Sequence, residues 1–150
     1  MGVIKAGEGE WIVICDGRKA LILENVGDRR FPSLKTKEVL EHQDAPTHDL
    51  GTDAPGRAYA SVGQARSSVE QTDWHDQAER AFLEKLASRL DAAIVAGETS
   101  VFHVAAAPRA LGMLRNAYSS ALRKAVKTEL DKDLVKLPLH QIERQLLRGE

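Results

Sequence analysis

Long apolar runs are missing from this chain. Within its 150 residues no stretch approaches the roughly 20 consecutive apolar residues that a membrane-spanning helix needs, so none is expected. Cysteine is almost absent. Cys15 is the only one, which excludes an internal disulfide and fits a reducing compartment. An excess of one charge is absent as well: 21 Lys and Arg stand against 22 Asp and Glu, a formal net charge of −1. No global field draws such a protein to nucleic acid or to an acidic membrane, and any such contact must be local. The opening MGVIKAGEGEW carries neither an apolar core nor a cleavage signature, so no secretory signal is expected. Met1 and Gly2 open like a myristoylation acceptor, but Ala6 stands where Ser or Thr is required. The expectation is a cytoplasmic protein with one domain over residues 1–150, long enough to bury a core.

What the chain does contain is one long periodic segment. Ala78, Phe82, Leu86, Leu90 and Ile94 recur every four positions and predict a helix with one continuous stripe that must be buried. Asp73 is expected to cap its start, Asp76 and Glu79 to complement its dipole, and Gly97 to supply the left-handed stop. Upstream, residues 10–16 (EWIVICD) read as a central strand ended by an Asp16–Gly17 turn. Residues 19–25 (KALILEN) read as its antiparallel return. Residues 34–41 (LKTKEVLE) read as a third strand, between breakers at Pro32 on one side and Asp44 and Pro46 on the other. Downstream, residues 100–107 (SVFHVAAA) read as a buried strand and Pro108 as the first turn of a second helix. That helix runs to about residue 124, with Leu111, Leu114, Tyr118, Leu122 and Ala125 inward. Residues 126–130 (VKTEL) alternate as a last strand, and residues 138–147 (PLHQIERQLL) close the chain as a short amphipathic helix. The expected fold is α/β, a mixed five-stranded sheet with helices on its faces in the order β-β-β-α-β-α-β-α, the order of the ribonuclease H-like motif.

A nuclease of that fold converges several carboxylates on two metal ions. The strand SVFHVAAAP offers none, and Asp16 reads as a turn residue. Residues 43–72 show no periodicity and are rich in Asp, Gly, Pro, Ser and Thr; so long a loop is either functional or disordered, and both readings stand. His42, Asp44, His48 and Asp49 cluster there, as a metal ligand set or by chance, and no metal or other cofactor is expected. His103 reads as a hydrogen-bonded core residue and Cys15 as a packed, inert thiol. Arg109, Arg115, Arg123, Lys124 and Lys127 lie in a stretch without an acid. Arg115, Ser119 and Arg123 fall on one helical stripe, either a phosphate contact or a solvated outer face. The loop holds Asp44, Asp49, Asp53 and Glu70 against Arg57 and Arg66, which argues against strong RNA binding by the loop alone. No Ser-His-Asp order, phosphate-cradling glycine loop or dinucleotide fingerprint supports an independent small-molecule enzyme.

Taken together, WIVICDGRKALILEN, GRAYASVGQARSSVE, TDWHDQAERAFLEKLASRL, HVAAAPRALGMLR and KTELDKDLVKLP resemble the bacterial host attachment protein family, named for a requirement in attachment to host cells. The resemblance covers nearly the whole chain, and APRALGMLR and KDLVKLP are its more specific marks. That family is in turn similar to the middle domain of archaeal and eukaryotic class 1 peptide chain release factors. In those factors a Gly-Gly-Gln tip before the long helix places its glutamine at the ester bond of peptidyl-tRNA. This chain has Val62-Gly63-Gln64-Ala65-Arg66 there, with stiff Val62 in place of the first glycine.

The resemblance implies two alternatives. In the first, the chain is a non-enzymatic cytoplasmic module that acts through an unknown protein partner and affects attachment indirectly. In the second, it is a ribosome-associated rescue factor or peptidyl-tRNA hydrolase-like enzyme. There Gly63 and Gln64 would be catalytic, Arg57, Arg66, Arg115 and Arg123 would contact RNA or phosphate, and the ribosome or tRNA would be the partner.

Overall fold

The computed structural model describes residues 3–42 and 67–149. Strands β1 (Trp11–Cys15), β2 (Lys19–Asn25), β3 (Leu34–Glu41), β4 (Phe102–Ala106) and β5 (Val126–Leu130) form one sheet in the spatial order β3-β2-β1-β4-β5. β1 pairs antiparallel with β2, and β2 with β3. β1 pairs parallel with β4, and β4 with β5. The sheet is therefore mixed, and the class is α/β.

Every residue of β1 is buried, which is why it reads as a continuous apolar run. Side chains of period two divide it between two cores: Trp11, Val13 and Cys15 face one layer, and Ile12 and Ile14 the other. The first layer is built by α1 (Ser67–Ala96), α2 (Pro108–Ala117) and α3 (Ser120–Ala125). Phe82, Leu86 and Leu90 of the expected stripe are buried, with Ala78 and Ile94 half-buried; Leu83, Ala87 and Ala93 widen the stripe. Arg89 fastens α1 to the sheet. Its guanidinium lies 5.5 Å over the Trp11 ring, donates to Glu38 at 2.9 Å and reaches both carboxylate oxygens of Glu98 at 3.4 Å. The second layer is built by α4 (Leu139–Glu143) and a π-helical turn over Arg144–Arg148, which bury Ile142 and Leu146 against Ile4, Ile12, Ile14 and Leu23.

The expected helix boundaries need three corrections. Asp73 is not a cap, because α1 already begins at Ser67. Once a helix is nucleated each added residue costs little, so a potential cap does not stop extension toward the N-terminus. The second helix is two, α2 and α3, because Tyr118 adopts an extended conformation (φ −64°, ψ 133°) and Ser119 starts afresh. The Ser119 hydroxyl accepts the Leu122 N–H at 3.0 Å and donates to Asp91 Oδ1 at 2.6 Å, so one side chain caps α3 and ties it to α1. Arg115, Ser119 and Arg123 therefore do not share one helical stripe. The closing helix widens into the π-helical turn after Glu143 rather than continuing as one α-helix.

The stop at Gly97 follows expectation. Its φ is +76°, its N–H donates to the Ile94 carbonyl at 3.1 Å, and the Glu98 N–H donates to the Ala93 carbonyl at 2.9 Å. This is the bonding of a Schellman cap.

Candidate functional site

In sheets of this kind ligand sites gather at the carboxyl ends of parallel strands. Here those are the ends of β1, β4 and β5, and a cleft opens at the first two. β1 runs into Asp16, whose Oδ1 accepts the N–H groups of Arg18 and Lys19, both at 2.8 Å. That carboxylate is a turn residue, as its Asp-Gly setting predicts. Gly17 then backs onto α1 so closely that a Cβ there would stand 2.7 Å from Glu79 Cδ. Just beyond β3, the His42 N–H donates to the Arg18 carbonyl at 2.7 Å, and its ring meets Phe82 edge-on at 6.4 Å.

From α1, Trp74 and His75 complete the wall, with their rings 5.8 Å apart and 77° inclined. Trp74 is 53% exposed. Gly17, Arg18, His42, Trp74, His75 and Glu79 thus line a cleft of about 270 Å³. From the end of β4, Arg109 of α2 pairs with Asp76 and lies 3.6 Å from Glu79, which neutralises the acids on this rim. An exposed indole beside two imidazoles, with the nearby carboxylates already paired, suits stacking and hydrogen bonding to a partner. His42 is the last described residue before the segment 43–66, and Ser67 opens α1 after it.

The basic residues of the second expected site meet on the far side of α2. Arg115 donates to Glu129 Oε1 from Nε at 2.8 Å and approaches the same oxygen with Nη2 at 2.7 Å. The Tyr118 hydroxyl donates to Glu129 Oε2 at 2.8 Å. Burial favours the protonated acid, but the bonds from Arg115 and Tyr118 outweigh it and hold the Glu129 carboxyl below the usual range. Burial and the same carboxylate push the Tyr118 phenol well up. Arg123 donates to the Arg115 carbonyl at 3.3 Å and lies 5.7 Å over the Tyr118 ring. Arg115 and Arg123 are therefore brought together, with the Arg115 guanidinium turned to a carboxylate of its own chain.

Gly63, Gln64, Arg57 and Arg66 lie outside the described residues, as do Asp44, His48 and Asp49. Among the described residues, no group of three or more His, Cys, Asp or Glu is placed to hold a metal ion. Cys15 is fully buried, and burial, with Asp16 beside it, pushes its thiol up to about 12. His103 is a core residue bonded through Nε2 to Glu10 Oε1 at 2.7 Å.

Sequence reading passed over Trp74 and His75. Their signal was an aromatic pair on the polar side of an amphipathic helix. It also passed over Asn25, which is fully buried. Its amide nitrogen donates to the carbonyls of Ala6 and Gly7 at 2.9 and 3.1 Å, and its oxygen accepts from Gly27 and Ser33 at 3.0 and 2.9 Å.

Compared with known families, residues 11–146 match the one described as "Protein required for attachment to host cells". The chain belongs to the host attachment family. The matched span runs from the first residue of β1 into the π-helical turn, so the whole sheet and the residues that line the cleft lie within it. No curated protein matches the chain. No helix among the described residues is long and apolar enough to cross a membrane.

Proposed function

We propose that this member of the host attachment family is a non-enzymatic cytoplasmic module whose carboxyl-edge cleft receives a macromolecular partner, so that it affects attachment to host cells indirectly. The observation that carries this reading is Trp74. A tryptophan left 53% exposed beside His42 and His75, at the sheet edge where α/β proteins bind ligands, has the character of an interface anchor. The test is attachment by cells that carry Trp74→Ala, with the variant's melting curve and cytosolic abundance measured beside it. Attachment should drop while both controls match the wild type. Unchanged attachment overturns the cleft as the partner site, and recovery of the protein at the cell surface overturns indirect action.

A second reading is a ribosome-associated rescue factor or peptidyl-tRNA hydrolase-like enzyme, kin in fold to the release-factor middle domain and to the ribonuclease H-like motif. It is favoured by the chain order: Gln64 stands just ahead of Ser67, where the long helix α1 begins. Gly63 and Gln64 would act at the ester, Arg57 and Arg66 would hold phosphates, and Arg115 and Arg123 would supply outer contacts. On this reading Gln64→Ala abolishes peptide release from stalled ribosomes. No release by the wild type, or full release by the variant, removes it.

A further inference from the structure

The opposite end of the sheet carries a second feature, independent of the cleft. There the β2–β3 connection faces the C-terminal π-helical turn across a groove of about 460 Å³, lined by Arg30, Phe31, His140, Glu143, Arg144 and Arg148. Phe31 is 70% exposed, yet it is held in place rather than loose. Its N–H donates to Asp28 Oδ1 at 2.6 Å, and its carbonyl accepts from the Asp28 N–H at 3.2 Å. Asn25 pins the base of the same turn through Gly27 and Ser33. The Arg30 guanidinium sits 5.4 Å over the Phe31 ring.

Three guanidiniums give this groove its charge. Arg89, Arg109 and Arg115 each face carboxylates. Arg30, Arg144 and Arg148 form no ion pair among the described residues, although the three converge on one concavity. The single acid in the lining, Glu143, uses Oε2 to accept the Leu34 N–H at 2.8 Å and so braces the groove. Three guanidiniums without an ion pair among the described residues, against one carboxylate in the lining, leave a local positive field on a chain whose overall charge is −1.

We propose that this groove binds single-stranded nucleic acid, with a base stacked on Phe31 and backbone phosphates held by Arg30, Arg144 and Arg148. Guanidinium forks match phosphate geometry, and a presented aromatic face stacks any base. An acidic peptide would satisfy the arginines but leave the Phe31 face without a flat partner.

The test uses the full chain and a fluorescent oligouridine of about 12 nucleotides, a length that one such surface spans. Anisotropy is read over a salt series, with oligothymidine and polyglutamate as competitors. All three substituted side chains are exposed, and their folding is checked by melting curves. Arg144→Ala/Arg148→Ala should weaken binding at least tenfold and flatten the log affinity against log salt slope by about 1.4, two contacts at ~0.7 each. Phe31→Ala should weaken it roughly tenfold with little change in slope, and Phe31→Tyr should restore it. Absence of wild-type binding, binding that both alanine variants leave unchanged, or stronger competition by polyglutamate than by either oligonucleotide overturns the proposal.

Discussion

His103 Nε2 lies 2.7 Å from Glu10 Oε1, joining β4 to the residue that precedes β1 on the inner side of the sheet. The same oxygen accepts the Gly7 N–H at 2.9 Å, so one carboxylate anchors the N-terminal segment to the central parallel pair. Burial alone would raise the pKa of Glu10. The bonds from His103 and Gly7, with the charges of His103 and Lys127 nearby, outweigh it and hold the carboxyl below its ordinary range.

A depressed carboxyl in the folded state stabilises the protein above the unfolded-state value, and that contribution disappears as pH falls through the folded one. The urea midpoint should therefore be steady near neutrality and drop as pH descends below the usual carboxylate range. Glu10→Gln should start lower at neutral pH and show a shallower acid limb. Parallel limbs for the two proteins would mean that Glu10 is not the group responsible.

Asn25→Ala should be among the costly single substitutions, on the order of 3 kcal/mol, because it strands the buried Ala6 carbonyl and removes the partner of part-buried backbone groups of Gly7, Gly27 and Ser33. Thermal melts read this as a clear fall in Tm. A loss below about 1 kcal/mol would show that water replaces the amide at the site.

Two glycines should respond in opposite ways to relief. Gly17→Ala meets only the Glu79 side chain, at a cost of about 1 kcal/mol, and Glu79→Ala in the same chain should recover most of it. Gly27→Ala drives a Cβ into the Phe31 carbonyl oxygen and the Ser33 nitrogen, which are backbone. No side-chain deletion rescues it. Chemical denaturation of the two single variants and the Gly17→Ala/Glu79→Ala pair decides the point, and strict additivity in that pair would refute the contact.

The Cys15 thiol should be silent toward an aromatic disulfide reagent at pH 8 in the native protein and react fully in urea. Burial both pushes it up to about 12 and denies access. Fast native labelling would place the thiol at the surface and contradict the β1 packing.

Several elements were legible without the tertiary structure because their signals are local. β2 follows as the return of a hairpin turned at Asp16–Gly17, β3 from the breakers that flank it, β5 from its alternation, and the Gly97 stop from a glycine that closes a periodic run. Phe82, Leu86 and Leu90 declared the buried face of α1 by spacing alone.

What local pattern did not contain was any event with a distant partner. The break at Tyr118 depends on Glu129 in β5 and on Asp91 in α1, which no propensity encodes. The pairing of β1 with β4 spans some ninety residues, and it alone puts Glu10 against His103.

The sequence by itself determined the class and most strand bounds, because hydrophobic period and breakers act over a few residues, and segments spread along the chain carried the host attachment kinship. Only the tertiary structure decided that Trp74 and His42 line one cleft at one end of the sheet, and that Phe31 and Arg30 line one groove with Arg144 and Arg148 at the other. Those groups lie far apart in the chain, and only the packing of both helical layers on one sheet brings them within reach.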